Sequence, residues 1–196
     1  GACILLFAGI SGRLLLGLLG GLFIAMPVLL HFIKHYQRER VLTFLSPERD
    51  PLGAGYHIIQ SKIAIGSGGF LGKGWLHGTQ YHLHFLPEHA TDFIFAVSSE
   101  EFGLIGCSVL IMLFAFITLR GLYIATHTND TFSRLLAASL ALMFFLSAFV
   151  NMGMVSGILP VVGLPLPLIS YSGTSMLILL AGFGILMSIS GHRKLF

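Results

Sequence analysis

Asp92 closes the most polar stretch of the chain, in the run Pro87-Glu88-His89-Ala90-Thr91-Asp92-Phe93, just ahead of a predicted spanning helix. A carboxylate fixed at a membrane surface by the start of a helix is placed to act as a general base. The same residue type is a favoured N-cap, so Thr91 or Asp92 accepting amide hydrogen bonds is the structural alternative, and the two roles are compatible. Glu100 and Glu101 follow eight and nine residues later, about 12–13 Å further along a helix at roughly 1.5 Å per residue. That distance does not make either one an obvious catalytic partner of Asp92. A carboxylate at the centre of a spanning helix costs about 2.5–3.5 kcal/mol on insertion scales, and adjacent side chains diverge by about 100°. At least one of the two should therefore face an internal polar site. Asn151, inside a third apolar run, reads as glue between helices.

Upstream, Gly68-Gly69-Phe70-Leu71-Gly72-Lys73-Gly74 has the look of a phosphate loop but fails the motif. Ser67 stands where the first glycine belongs, and Lys73 is followed by Gly rather than Ser or Thr. Backbone amides and Lys73 still offer a looser hold on a phosphate, against the alternative of a flexible turn with a snorkelling lysine. His77, His82, His84 and His89 match no zinc spacing and have no cysteine nearby, so no metal site is assigned. Downstream, Gly157-Ile158-Leu159-Pro160-Val161-Val162-Gly163-Leu164-Pro165-Leu166-Pro167 breaks any helix three times. It is too apolar for an exposed loop, which leaves a re-entrant turn buried against protein. Ser170, Tyr171, Ser172, Gly173, Thr174 and Ser175 then open the last helix with hydroxyls and free amides, suited to an anion or simply to capping.

These residues need a scaffold, and composition says which kind. Hydrophobic residues make up 55% of the 196 and charged ones 10%, with a mean hydropathy of +0.89; soluble domains carry roughly 25% charged residues. The surface cannot be wetted all round, so lipid is the solvent. The net charge of +3 is modest and scattered, which argues against nucleic acid and leaves anionic membrane lipids or phosphates as partners. Cys3 and Cys107 stand 104 residues apart in apolar runs and read as buried thiols.

Four stretches are long enough to cross about 30 Å of hydrocarbon, at roughly 14–33, 94–119, 135–156 and 169–190. Residues 1–10 read as the end of a fifth helix, which suggests a piece of a longer protein. The expectation is an all-α polytopic membrane protein, one membrane domain over 1–196, with a long loop at 34–92. That loop holds five of the eight acids and, with the adjoining His31, seven of the nine histidines. Within it, Tyr56–Ile65 fits a segment lying at the membrane surface. Arg120 and Arg134 flank one short loop and Arg193 and Lys194 the tail, whereas 157–168 carries no charge. The positive-inside rule then puts 120–134 and the C-terminus in the cytoplasm and 34–92 on the outer side.

Several ordered segments resemble the SEDS family (shape, elongation, division and sporulation). They are Asp50-Pro51-Leu52-Gly53-Ala54-Gly55-Tyr56-His57-Ile58-Ile59-Gln60-Ser61, Gly72-Lys73-Gly74-Trp75, Gly78-Thr79-Gln80, Phe85-Leu86-Pro87-Glu88, Thr91-Asp92-Phe93-Ile94-Phe95, Glu100-Glu101, Asn151-Met152-Gly153-Met154, Gly157-Ile158-Leu159-Pro160 and Pro165-Leu166-Pro167. Met154-Val155-Ser156-Gly157 is similar to the elongation branch rather than the division branch. The resemblance implies the C-terminal part of a ten-helix inner-membrane fold: four complete helices, the end of a fifth, and one large periplasmic loop. It implies a glycosyltransferase that polymerises lipid II into peptidoglycan strands for rod shape, with Asp92 as the essential base and no cofactor assigned, a divalent metal being left open. Lys73 becomes the candidate cation for the leaving pyrophosphate, and Glu88, Thr91, Glu100, Glu101, Ser170 and Tyr171 candidate substrate-binding residues. Implied partners are a class B penicillin-binding transpeptidase and the MreB-associated elongation complex. The family usually carries His before the Thr-Asp pair; Ala90 stands there, with His89 one place earlier. A flippase for the lipid-linked precursor and a non-catalytic scaffold are the alternatives, since Glu100, Glu101 and Asn151 would also suit a transport path.

Overall fold

A computed structural model describes residues 54–78 and 91–192, together with Gly17 and Gly20, both helical. Most of the expected 14–33 span and much of the 34–92 loop lie outside the described residues. Among those described, every regular element is an α-helix: α1 (Ala54–Gly68), α2 (Ile94–Thr126), α3 (Thr131–Val155) and α4 (Gly173–His192). The last three are long and apolar enough to cross a membrane, in line with the runs expected at 94–119, 135–156 and 169–190.

Helices α2 and α3 form an antiparallel hairpin joined by residues 127–130. Asp130 caps α3, its carboxylate accepting from the Ser133 amide and hydroxyl, each at 2.8 Å. These two bonds hold the Asp130 carboxyl below the ordinary carboxylate range. Small residues set how closely the pair can pack: a Cβ on Gly121 would meet the Ala141 Cβ at 2.8 Å. Towards the middle the Phe114 and Phe144 rings lie 5.5 Å apart, and Phe183 of α4 joins Phe144 at 5.6 Å. Leu186 of α4 closes a second cluster on Ala125, Ala137 and Ala138.

At the Asp92 end, α1 packs across α2 and α3. Its buried face is Ile58, Ser61 and Ala64, and the Ser61 hydroxyl reaches the Val155 carbonyl at 2.8 Å. Helix α3 ends in a Schellman arrangement. The Ile158 amide bonds the Gly153 carbonyl, the Gly157 amide bonds the Met154 carbonyl, and Gly157 has φ +71°. The segment that follows is non-helical to residue 172, as the three prolines and two glycines require, and its Leu166 is buried in the core beside Phe93 and Met154.

Helix α2 is not continuous. Gly103 has φ +61° and ψ −158°, a region open essentially to glycine alone. Beyond it Leu104–Thr126 is 23 residues, about 35 Å at 1.5 Å per residue, enough to span by itself. Ile94–Phe102 is thus a separate helical post, carrying Asp92 just before its start and Glu100 and Glu101 near its end.

Candidate functional site

The Asp92 end of the post is fixed by side chains from two other parts of the chain. The cap position is Phe93, which makes no side-chain cap bond, so neither Thr91 nor Asp92 is the N-cap. The first carbonyl within the helical ladder is that of Phe93, which accepts from Ala96 and Val97. The carbonyls of Thr91 and Asp92 lie outside the ladder and find donors elsewhere. The Ser170 hydroxyl donates to Thr91 O while accepting from the Leu166 amide. The Asn151 amide donates to Asp92 O at 2.9 Å and to Leu164 O at 2.6 Å. Gly163, at φ +76°, presents its backbone to the carboxylate: a Cβ there would stand 3.3 Å from Asp92 Oδ2. The 157–168 segment is therefore the wall beside Asp92.

The other end of the post meets the glycine-rich segment 68–78. A helix broken at Gly103 leaves carbonyls before the break and amides after it without partners, which hydrocarbon does not tolerate. The loop supplies partners for four of them. Lys73 N donates to Glu100 O and Gly74 N to Glu101 O, each at 3.0 Å, while Leu104 N donates to Gly69 O at 2.9 Å and Ile105 N to Phe70 O at 3.2 Å. Approach this close demands glycine on both sides: a Cβ on Gly72 would lie 2.0 Å from Glu101 O, and one on Gly103 would lie 2.3 Å from Gly72 N. Trp75 covers the junction, its ring 5.6 Å from that of Phe102. Cys107 beyond the break donates to the Ser99 hydroxyl before it at 3.0 Å.

Both glutamates are buried there. Glu100 Oε1 pairs with Lys73 Nζ at 2.7 Å, with side-chain exposures of 0% and 29%. Glu101 Oε1 accepts from the Leu76 amide at 3.2 Å. Gly78 closes over the pair, since a Cβ on it would stand 3.1 Å from Glu100 Oε2.

The structure thus gathers the sequence-predicted residues into two groups. Asp92, Thr91 and Ser170 come together at one end of the post with Asn151 and Gly163, while Lys73, Glu100 and Glu101 come together at the other. Tyr171 is 84% exposed. Glu88, His82, His84 and His89 lie outside the described residues. His77 donates from Nδ1 to the Trp75 carbonyl at 2.8 Å, and among the described residues no three His, Cys, Asp or Glu side chains gather as a metal cluster. Sequence reasoning missed two things. Asn151 was read as helix glue, yet it bonds non-helical carbonyls. Gly163 and Gly103 were not singled out as site residues, although an isolated glycine inside an apolar run, right after Glu100-Glu101-Phe102, was the available signal.

Known proteins share this sequence and fold. Residues 1–195 match the family of FtsW, RodA and SpoVE, described as cell cycle proteins. The chain is 58% identical to the peptidoglycan glycosyltransferase MrdB of Escherichia coli, covering 100% of this chain and 53% of that protein. It is 46% identical to the peptidoglycan glycosyltransferase RodA of Treponema pallidum, over 82% of this chain and 37% of that one. It spans about half the length of the curated relatives it matches. A solved peptidoglycan synthase complex, described as coordinating polymerization and crosslinking, superposes with a TM-score of 0.70 at 36% identity. That match covers 94% of this chain and 50% of the other. The rod shape determining protein RodA of Thermus thermophilus superposes at 0.52 with 25% identity, over 88% and 58% respectively. With a family match over residues 1–195, the chain belongs to the SEDS family of FtsW, RodA and SpoVE.

Proposed function

We propose that this protein works in a peptidoglycan glycosyltransferase of the bacterial inner membrane that polymerises lipid II during cell elongation, with Asp92 as general base. The observation that carries the reading is the immobilised Asp92 at the head of the post. Both neighbouring carbonyls are tied by buried side chains, and the carboxylate lies against the Gly163 backbone. The names of the relatives, peptidoglycan glycosyltransferases at 58% and 46% identity, support the same chemistry.

In that reaction the 4-hydroxyl of the acceptor sugar attacks the anomeric carbon of the donor. The new C1–O4 bond forms as the bond from C1 to the pyrophosphate oxygen breaks. The hydroxyl proton passes to Asp92, and undecaprenyl pyrophosphate leaves with the electron pair. A single displacement inverts the α-linked donor to a β-1,4 product and needs one base and some positive charge near the leaving group. Lys73 is the cation proposed from this chain; its ion pair with Glu100 leaves it 29% exposed. The 34–92 loop is assigned to the periplasm and the C-terminus to the cytoplasm, following the basic residues at 120, 134, 193 and 194. A class B penicillin-binding transpeptidase and the MreB-associated elongation complex are the proposed protein partners.

The test is full-length protein carrying Asp92→Ala, purified in detergent and assayed for glycan polymer from lipid II. General-base catalysis contributes about 10²–10⁴-fold, so a loss in that range is expected. Undiminished polymer would remove Asp92 from the chemistry. Polymerase activity in detergent, where no leaflets exist, also separates an enzyme from a flippase.

A further inference from the structure

Asn151 is fully buried at 0% exposure, in α3 and 59 residues from Asp92 in sequence. Its amide nitrogen serves two carbonyls that no helix satisfies, Asp92 O and Leu164 O. The orientation of the amide is fixed by those acceptors, because turning it over would set its oxygen against two other oxygens. Its Oδ1 is buried without a hydrogen bond among the described residues. A residue needed only to join helices would be expected to place both ends of its amide on neighbouring helices. Here both donors instead go to the two strands of backbone that flank the carboxylate: the peptide bearing Asp92 and the turn bearing Gly163.

We propose that Asn151 is a positioning residue for the reaction, fixing the Asp92 carboxylate against the 157–168 wall. The inference rests on the reading of Asp92 as the base. The acceptor hydroxyl must come within about 2.6–3.2 Å of that carboxylate, one side of which is taken up by the Gly163 backbone. With one amide bonded to both sides, post and wall move as a unit. Without it the bonds to Asp92 O and Leu164 O are lost. Post and wall stay joined through the Ser170 hydroxyl between Thr91 O and the Leu166 amide, and the carboxylate is held less closely at its own peptide.

The experiment compares full-length Asn151→Asp, which keeps the shape but cannot donate to both carbonyls at once, with Asn151→Ala, which vacates the volume. Each is assayed for lipid II polymerisation per folded molecule, with folding scored by size exclusion and melting, and Asp92→Ala is run alongside. Misplacing a catalytic group by about 1 Å can cost on the order of 100-fold. The expectation is a kcat lowered 10- to 100-fold with KM for lipid II within about twofold. A merely structural role would reduce the yield of folded protein and leave kcat per folded molecule unchanged. Wild-type kcat in both Asn151 variants beside an inactive Asp92→Ala overturns this inference alone. Wild-type turnover in Asp92→Ala overturns the general-base reading, and this inference with it. Failure of both Asn151 variants to fold also overturns it, since Asn151 would then belong to the fold rather than to the site.

Discussion

Replacing Lys73 by Met leaves the Glu100 carboxylate buried at 0% exposure without the ammonium 2.7 Å away. Losing that ammonium from a dry place costs free energy. Breaking a buried pair by removing one partner costs about 3–5 kcal/mol. The Lys73 side chain is 29% exposed, which puts this pair at the lower end, about 3 kcal/mol. At roughly 2–4 °C per kcal/mol for a chain of this size, Lys73→Met should melt about 6–12 °C below wild type. Glu100→Gln should cost less, because the freed ammonium can turn to water. In the Glu100→Gln background the lysine replacement should cost under about 1 kcal/mol, giving a coupling of at least 2 kcal/mol. Thermal unfolding of the four proteins in one detergent measures the cycle. Equal costs of Lys73→Met in both backgrounds would refute the reasoning, for the pair would then hold nothing together. Loss of polymerisation in a double variant of normal stability would give Lys73 a second task at the leaving pyrophosphate.

Gly103→Ala should destabilise by about 3–6 kcal/mol: roughly 1–3 for a non-glycine residue in that backbone region, plus part of four loop bonds at about 0.5–1.5 each. Gly184→Ala in α4, where an added Cβ meets nothing within 4 Å, is the control and should be neutral or mildly stabilising by melting temperature. Asp130→Ala should lower the melting temperature near neutral pH. The Asp130 carboxyl sits below its ordinary value in the native state, so its contribution is present above the unfolded carboxylate pKa and is lost as pH falls through the native one. The gap between wild type and variant should therefore close from about pH 4 downward; a gap unchanged at low pH would show that the cap does not act through its charge.

The three spanning helices were legible because hydropathy over about 20 residues is a property of the run itself. The non-helical path of 157–168 was equally plain from Pro160, Pro165 and Pro167 in an apolar segment. The cap role suggested for Thr91 or Asp92 proved wrong by one residue, because two distant donors, Asn151 and Ser170, take the carbonyls ahead of Phe93 and let the helix start there. The expectation that Glu100 or Glu101 faces an internal polar site understated the case, as both do. What could not be read was why: the cost for a carboxylate at the helix centre assumed an unbroken helix, and the break at Gly103 brings the glycine-rich loop against both glutamates. A break is visible only together with the loop that satisfies it, about 30 residues earlier, and no local pattern couples Gly72 to Gly103.

That coupling restricts how the two positions can vary. At most crowded contacts a larger residue on one side can be offset by a smaller one opposite, so change proceeds through compensated pairs. Gly72 and Gly103 face each other with an added Cβ on either one striking backbone of the other's segment, and each already has the smallest side chain there is. No second substitution can make room for the first. The two positions can change only together with the path of the backbone, by losing the break and the loop that fills it in one step.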